Sequence, residues 1–390
     1  MQASRGRILL RRVGAVVLAV GATALIALAL IGDEEPQSAP GPAAAEGVPA
    51  EVRGLVRALS LEDKVDQVLA RGFAGTDTSD PLFDQLGERQ TGAVFVAPDN
   101  WTDAGQGAAL TGEIRAAGRA GGRIPPLLIA AQEGGDGRAF GDLPPGRRAV
   151  VIAELGDPQK ALRWSREAGE ALAAAGFDLN LAPIVDLAPL ASPLAERGFG
   201  EDPQVSAQMT LATQIGCREA GIACAPAHFP GMGSASGDTE LGPASVGLDR
   251  GSLLRRDLVP FKVAIQAGAP AVVVSHAFFA AYDAVTPASQ TPAIVERLLR
   301  ERLAFRGVAI TDDLSAGAIT ALGTVRDAAV ASLAAGADLL LVERPGEAQE
   351  VTREALIAAV RSGVVPAARL DEAVGRVLEL KRRLGLIPSE

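Results

Sequence analysis

Six times in this chain a helical stretch ends at a glycine and an apolar run follows at once. The runs are Thr91-Gly92-Ala93-Val94-Phe95-Val96, Ala175-Gly176-Phe177-Asp178-Leu179-Asn180-Leu181, Ala220-Gly221-Ile222, Ala267-Gly268-Ala269, Arg306-Gly307-Val308 and Ala335-Gly336-Ala337. Glycine just past a helix end takes the left-handed conformation that closes the helix and redirects the chain. A short, unbroken apolar strand after it suits a parallel sheet covered on both faces. Two further apolar runs, near 69–73 and 127–131, lack the glycine lead. The predicted strands are 69–73, 92–96, 127–131, 177–182, 222–227, 271–275, 308–311 and 338–342, with helical stretches between them. Eight strands alternating with helices predict an α/β fold, a (β/α)8 TIM barrel. The alternative is a doubly wound open sheet, but no Gly-x-Gly-x-x-Gly loop opens a helix after the first strand. An amphipathic, charged stretch from Arg369 to Leu384 closes the outer ring as a helix.

The barrel does not begin at residue 1. Residues 1–12 are a basic flank with Arg5, Arg7, Arg11 and Arg12. Residues 13–31 carry no charge, and 19 apolar or small residues are enough for a transmembrane helix. The basic flank predicts a cytoplasmic N-terminus and a body on the extracytoplasmic side of the cell membrane, single-pass. Secretion after signal cleavage is the alternative. Residues 32–48 read as a Pro/Ala/Gly-rich linker, and 49–390 as the barrel. Net charge is −10, which argues against nucleic acid as a partner, because phosphate binding needs a basic face. Cys217 and Cys224 are the two cysteines. They read as buried small residues. A disulfide stays open for a body outside the cytoplasm, although a helix-to-strand pair seven apart is not an obvious bridge. No Cys/His cluster suggests a metal, and no phosphate loop suggests a nucleotide, so no cofactor is expected.

In a barrel of this kind, residues just past the strand C-termini face the active site. Here they form a polar ring: Gln132 and Glu133, Asp186 and, on a long loop, Arg197, then His228, His276, Asp312 and Asp313, and Glu343. The loop after the fifth strand, 227–243, adds Asp238 and Glu240 among glycines and small polar residues. No Ser-His-Asp or Cys-His set and no Gly-x-Ser-x-Gly elbow is present. Carboxylates with Arg and His suit glycoside hydrolysis with retention, in which one carboxylate attacks the anomeric carbon and a second group protonates the leaving oxygen. Asp312, at a strand end, is the nucleophile candidate. One of the pair Asp312-Asp313 has a helix cap as its alternative role.

Four segments resemble glycoside hydrolase family 3. They are Leu179-Asn180-Leu181-Ala182-Pro183-Ile184-Val185-Asp186, Arg197-Gly198-Phe199-Gly200-Glu201-Asp202-Pro203, His228-Phe229-Pro230-Gly231-Met232-Gly233 and Gly307-Val308-Ala309-Ile310-Thr311-Asp312-Asp313-Leu314. The resemblance spans roughly 55 to 386 and is greatest to single-domain bacterial β-N-acetylglucosaminidases. It implies a (β/α)8 domain and a retaining mechanism with Asp312 as nucleophile, Arg197 as sugar-binding arginine and His228 as a sugar contact. It also exposes differences. The family pattern has Asp at Ala131, Lys at Ala227 and a second His at Met232. Its Asp-x-His acid/base triplet falls on Asp238-Thr239-Glu240, so Glu240 is the acid/base candidate and Asp238 its candidate orienting group, the alternatives being a solvated loop acid at 240 and an acid/base elsewhere. Glu133, His276 and Asp186 complete the expected substrate contacts. The expected substrate is a carbohydrate, a peptidoglycan-derived amino sugar, and the expected partner is the membrane through the N-terminal helix. The alternative function is a catalytically impaired barrel that binds glycan or a protein partner at the cell surface.

Overall fold

A computed structural model describes residues 48–387. The predicted membrane segment 13–31, its basic flank and all but the last residue of the linker lie outside the described residues. Among the described residues, no helix is long and apolar enough to cross a membrane.

The strands are β1 (Leu69–Arg71), β2 (Ala93–Phe95), β3 (Leu127–Ala130), β4 (Leu179–Asn180), β5 (Ala223–Cys224), β6 (Ser245–Val246), β7 (Ala271–Val274), β8 (Phe278–Phe279), β9 (Asp283–Pro287), β10 (Val308–Thr311) and β11 (Leu340–Val342). Six of them pair in parallel in the order β11-β1-β2-β3-β4-β5, and β7 pairs in parallel with β10. Single bridges join the two groups: Phe229 with Val274, and Ile310 with Leu339. The eight predicted strands are thus joined in a barrel-like ring. β4 and β5 are shorter than predicted because Pro183 and Pro226 follow them closely and donate no N–H to a ladder. Inward-facing Phe95, Ile129, Leu179, Val273, Ile310 and Leu341 share one apolar cluster, which Val377 and Leu380 of the helix Ala367–Arg383 complete.

The six glycines that head the pattern divide into two kinds. Gly176, Gly221, Gly268 and Gly336 have positive φ, as a helix-closing glycine requires. Gly92 and Gly307 do not. They allow close approach instead: a Cβ there would stand 2.2 Å from the Gln67 carbonyl oxygen or 2.4 Å from that of Pro270. A second small sheet was not expected. β6 pairs in parallel with β8, and β8 antiparallel with β9, which joins the loop after β5 to the loop after β7.

The reading of two unpaired cysteines is corrected. Cys217 and Cys224 form a disulfide, with Cα atoms 6.1 Å apart. Cys217 sits in the last turn of the helix Pro203–Ala220, and the left-handed turn at Gly221 brings the chain straight back, with Ile222 N–H donating to the Cys217 carbonyl at 3.2 Å. The link ties that helix to the strand that leads into the 227–243 loop. Closing a loop of seven residues stabilises by about 2 kcal/mol in the chain-entropy account. Replacing both cysteines by serine is expected to cost about that much in urea unfolding, and dithiothreitol should destabilise the wild type but not the double variant.

Beneath the ring, Asp338 is fully buried and accepts from Arg300, from Arg369 at 2.6 Å, from Arg376 at 2.9 Å and from Ala309 N–H at 3.0 Å. Burial alone would raise its pKa. The charges of Arg300, Arg376 and Arg369 overcome that and hold it at about 2.

Candidate active site

The end of β10 fixes the centre of the site. Asp312 N–H donates to the Val274 carbonyl at 3.0 Å, which locks its backbone to β7. The two adjacent aspartates then part in role. Asp313 accepts from Ser315 N–H at 3.0 Å and from Glu343 N–H at 2.9 Å, so it ties β10 to the end of β11. Asp312 receives only the N–H of Asp313, at 3.1 Å, and keeps 16% of its side chain exposed. Asp312 is therefore the one free to meet a ligand.

His276 lies behind this pair. It is fully buried, with Nε2 3.0 Å from the Asp313 carbonyl and Nδ1 2.8 Å from the Ser289 hydroxyl. A carbonyl only accepts, so Nε2 carries the hydrogen and Nδ1 accepts from Ser289. Burial lowers the His276 pKa against the pull of Asp312 and Asp313, which keeps the ring neutral. Expected as a substrate contact, His276 instead holds the strand end from inside.

Asp186 is a second such case. It has no exposed surface. One oxygen accepts from His228 N–H at 3.0 Å and meets His228 Nδ1 at 2.8 Å, and the other accepts from Met232 N–H at 2.6 Å. It reaches the site only through His228, whose Nε2 stands 3.9 Å from Asp312 Oδ2. Burial would lower the His228 pKa. The hydrogen bond and charge of Asp186, with the charge of Asp312, raise it to about 9. His228 is therefore a cation at neutral pH, set beside the Asp312 carboxylate. Met232 Sδ receives the Ser275 hydroxyl at 3.2 Å.

Across the site, Glu133 binds Arg197 through two hydrogen bonds, to Nε at 2.8 Å and to Nη2 at 2.6 Å. The Glu133 side chain is 10% exposed and that of Arg197 is 32% exposed. Glu133 is thus the inner member that sets the guanidinium plane, and Arg197 the outer member with donors to spare. Burial works against the charge on Arg197, but the hydrogen bonds and charge of Glu133 raise its pKa.

The loop after β5 folds over this centre. Gly317 N–H donates to the Glu240 carbonyl and Ala318 N–H to the Thr239 carbonyl, both at 2.9 Å. The segment that follows Asp312 therefore holds Glu240 by its main chain. Asp238 makes the turn: its carboxylate accepts from Glu240 N–H at 3.0 Å, and its carbonyl accepts from Leu241 and Gly242 N–H. Asp238 thus orients Glu240 through the backbone. Glu240 is exposed. Withdrawal of its carboxyl from water, then the charges of Asp312, Asp313, Asp238 and Glu343, push its pKa up to about 8. In so open a position the acidic neighbours are what sustain the shift.

Residues 60–380 match the family model described as "Glycosyl hydrolase family 3 N terminal domain". The chain belongs to glycosyl hydrolase family 3. Beta-hexosaminidase from Stenotrophomonas maltophilia is 34% identical over 317 residues, covering 79% of this chain and 91% of the relative. Beta-hexosaminidase from Xanthomonas campestris pv. campestris is 34% identical over 319 residues, covering 79% and 92%. Among solved structures, a glycoside hydrolase family 3 beta-N-acetylglucosaminidase from Paenibacillus sp. superposes with a TM-score of 0.81 at 32% identity. That match covers 85% of this chain and 64% of that one. Beta-N-acetylhexosaminidase from Beutenbergia cavernae gives a TM-score of 0.74 at 30% identity, covering 83% and 99%.

Two features of this family 3 site escape the motif reading. Gly317 has no signature, yet a Cβ there would lie 2.5 Å from the Leu241 carbonyl carbon and oxygen, so the loop docks only because the residue is glycine. Glu343, a member of the strand-end ring, is a further acid with a raised pKa. Burial, then Asp313, Asp312 and Asp99, push it up to about 7. Its strand-end position was the signal, but nothing in the sequence gave its side chain an acid's role.

Proposed function

We propose that the chain is a membrane-tethered, retaining glycoside hydrolase that removes β-linked N-acetylhexosamine from cell-wall glycan. The supporting observation is that one segment holds both acids of the pair: Asp312 ends β10, and the residues just after it hold Glu240 through its main chain. Arg197 and His228 bind the sugar. Asp312 attacks the anomeric carbon, and the glycosidic C–O bond breaks as Glu240 gives its proton to the leaving oxygen. Water then attacks the glycosyl-Asp312 ester with Glu240 as base, which frees the sugar and returns the Asp312 carboxylate. The same electrostatics serve both steps. Of the charges acting on Glu240, that of Asp312 comes first. Forming the ester removes this charge, lowers the Glu240 pKa and turns an acid into a base.

The sugar class follows the relatives, which are named beta-hexosaminidase. Location outside the cytoplasm is supported by the disulfide, a bond that persists in oxidising compartments, and by the uncharged run at 13–31 behind its arginines. The test is release of aryl alcohol from an aryl β-N-acetylglucosaminide by the purified protein, with the first-formed sugar anomer read by NMR. A β anomer supports retention. An α anomer overturns the mechanism, and no turnover with any aryl β-glycoside overturns the activity.

Glu133→Gln is expected to raise KM by roughly 10-fold or more while changing kcat less, since a hydrogen bond to a charged group is worth about 1.5–3 kcal/mol. Steady-state kinetics with the same substrate checks it. A second reading has its own observation. Ala131 and Ala227, which the resemblance sets against an Asp and a Lys of the family pattern, both pack with the apolar barrel interior. A barrel that binds glycan without cleaving it fits that floor. Calorimetry with wall fragments that finds binding without turnover selects it.

A further inference from the structure

The turn that carries Glu240 buries a polar residue and leaves an apolar one in water. Thr239 is 2% exposed and Leu241 is 86% exposed, the reverse of what transfer from water favours. Hydrophobicity therefore does not seat this turn. Main-chain bonds hold part of it: the Thr239 carbonyl accepts from Ala318 N–H at 2.9 Å. They leave the Thr239 hydroxyl to find its own acceptor, and a buried hydroxyl without one is costly. Among the described residues its acceptor is the sulfur of Met232, 3.9 Å away.

Met232 is fixed independently of the turn. It is buried, its N–H donates to Asp186 at 2.6 Å, and its carbonyl accepts from Ala235 N–H at 2.9 Å. The next residue, Gly233, lies so close to the loop after β4 that a Cβ there would stand 2.2 Å from the Leu187 carbonyl oxygen. The sulfur also takes the hydroxyl of Ser275 at 3.2 Å. Ser275 is fully buried just past β7 and accepts from Ala277 N–H at 2.9 Å. One thioether thus receives two buried hydroxyls, one at the end of β7 and one on the residue that precedes Glu240. Sulfur is a weak acceptor, but a leucine of similar volume accepts nothing at all.

We propose that Met232 is a positioning residue for Glu240: its sulfur seats Thr239 and so holds the neighbouring acid at the site. The role rests on the reading of Glu240 as the acid; the seating of Thr239 does not. The same methionine binds Asp186 through its N–H, and Asp186 holds His228. One residue therefore ties the turn of the acid to the turn of the histidine.

The test compares Met232→Leu with the double variant Met232→Leu/Thr239→Val, each as the full chain in detergent. Leucine keeps the bulk and the N–H of position 232 but offers no acceptor, so the Thr239 hydroxyl must turn to water. Hydrogen exchange at the Ala318 amide, which rests on the Thr239 carbonyl, should quicken by about 10-fold, the scale of one buried hydroxyl left unpaired. Valine at 239 should reverse this, because the hydroxyl that lacked an acceptor is gone. Hydrolysis should follow. In Met232→Leu, kcat for an aryl β-N-acetylglucosaminide with a poor leaving group should fall by a like factor and recover in the double variant. That for the 2,4-dinitrophenyl glycoside, which departs without a proton, should fall far less. Exchange that does not quicken in Met232→Leu, or that Thr239→Val fails to restore, overturns the proposal and leaves Met232 as packing alone. Exchange that quickens and is restored, with both glycosides affected alike, overturns the reading of Glu240 as the acid and leaves the seating of Thr239 intact.

Discussion

Asp312→Ala is expected to reduce hydrolysis of an aryl β-N-acetylglucosaminide by on the order of 10⁴–10⁶-fold, the scale of removing a covalent nucleophile. The loss should fall on kcat with little change in stability. Asp312 makes no side-chain hydrogen bond beyond its neighbour's N–H, whereas Asp313 ties β10 to the end of β11. Asp313→Ala should therefore destabilise the fold as well as slow the reaction, and urea unfolding of the two variants separates the roles. The space left by the truncated side chain offers a further check. Azide entering from the face vacated by Asp312 attacks the anomeric carbon once, not twice, so the glycosyl azide that accumulates should have the α configuration. Wild-type activity in Asp312→Ala would end the mechanism.

Glu240→Gln is expected to slow release of poor leaving groups by about 10²–10⁴-fold, the usual worth of a positioned general acid. Release of 2,4-dinitrophenolate, which departs without a proton, should change far less. The pH profile gives the second measurement. A carboxyl pushed up to about 8 is protonated below that pH and ionised above it, so activity on poor leaving groups should decline as pH rises through about 8. In Glu240→Gln that alkaline limb should vanish or move. Glu343, pushed up to about 7, is the competing acid in the same site. If Glu343→Gln removes the limb and Glu240→Gln does not, the acid has been misassigned. His228, raised to about 9, titrates higher, so a second limb near pH 9 would report loss of its charge beside Asp312.

The eight barrel strands are legible because each is a buried apolar run, and burial on both faces is what a parallel sheet demands. The sheet of β6, β8 and β9 is not. Ser245–Val246 and Phe278–Phe279 are two-residue strands with no room for a period, and they pair across a long separation. At the site, strand-end position identifies Asp312, Arg197, His228 and Glu133 as a group, but it does not say which members face a ligand. Asp186 and His276 have the same signal and turn inward, because each finds buried partners in Met232 or Ser289 that no local pattern announces. The cysteines show the same limit: seven residues apart in sequence, they meet only because Gly221 reverses the chain.

The docking of the 238–242 turn on Gly317 and Ala318 uses only carbonyls and N–H groups of the main chain. No side chain at 240 is needed to keep position 240 where it is. Location and chemistry at this point can therefore change independently during descent. A histidine, a glutamate or an inert residue can occupy the same place above β10 without unfolding the loop, and only proton transfer registers the exchange. On the proposed reading of Glu240 as the acid, a barrel built this way can lose, regain or retune that acid by single substitutions, whereas the same change at Gly317 would displace the loop first.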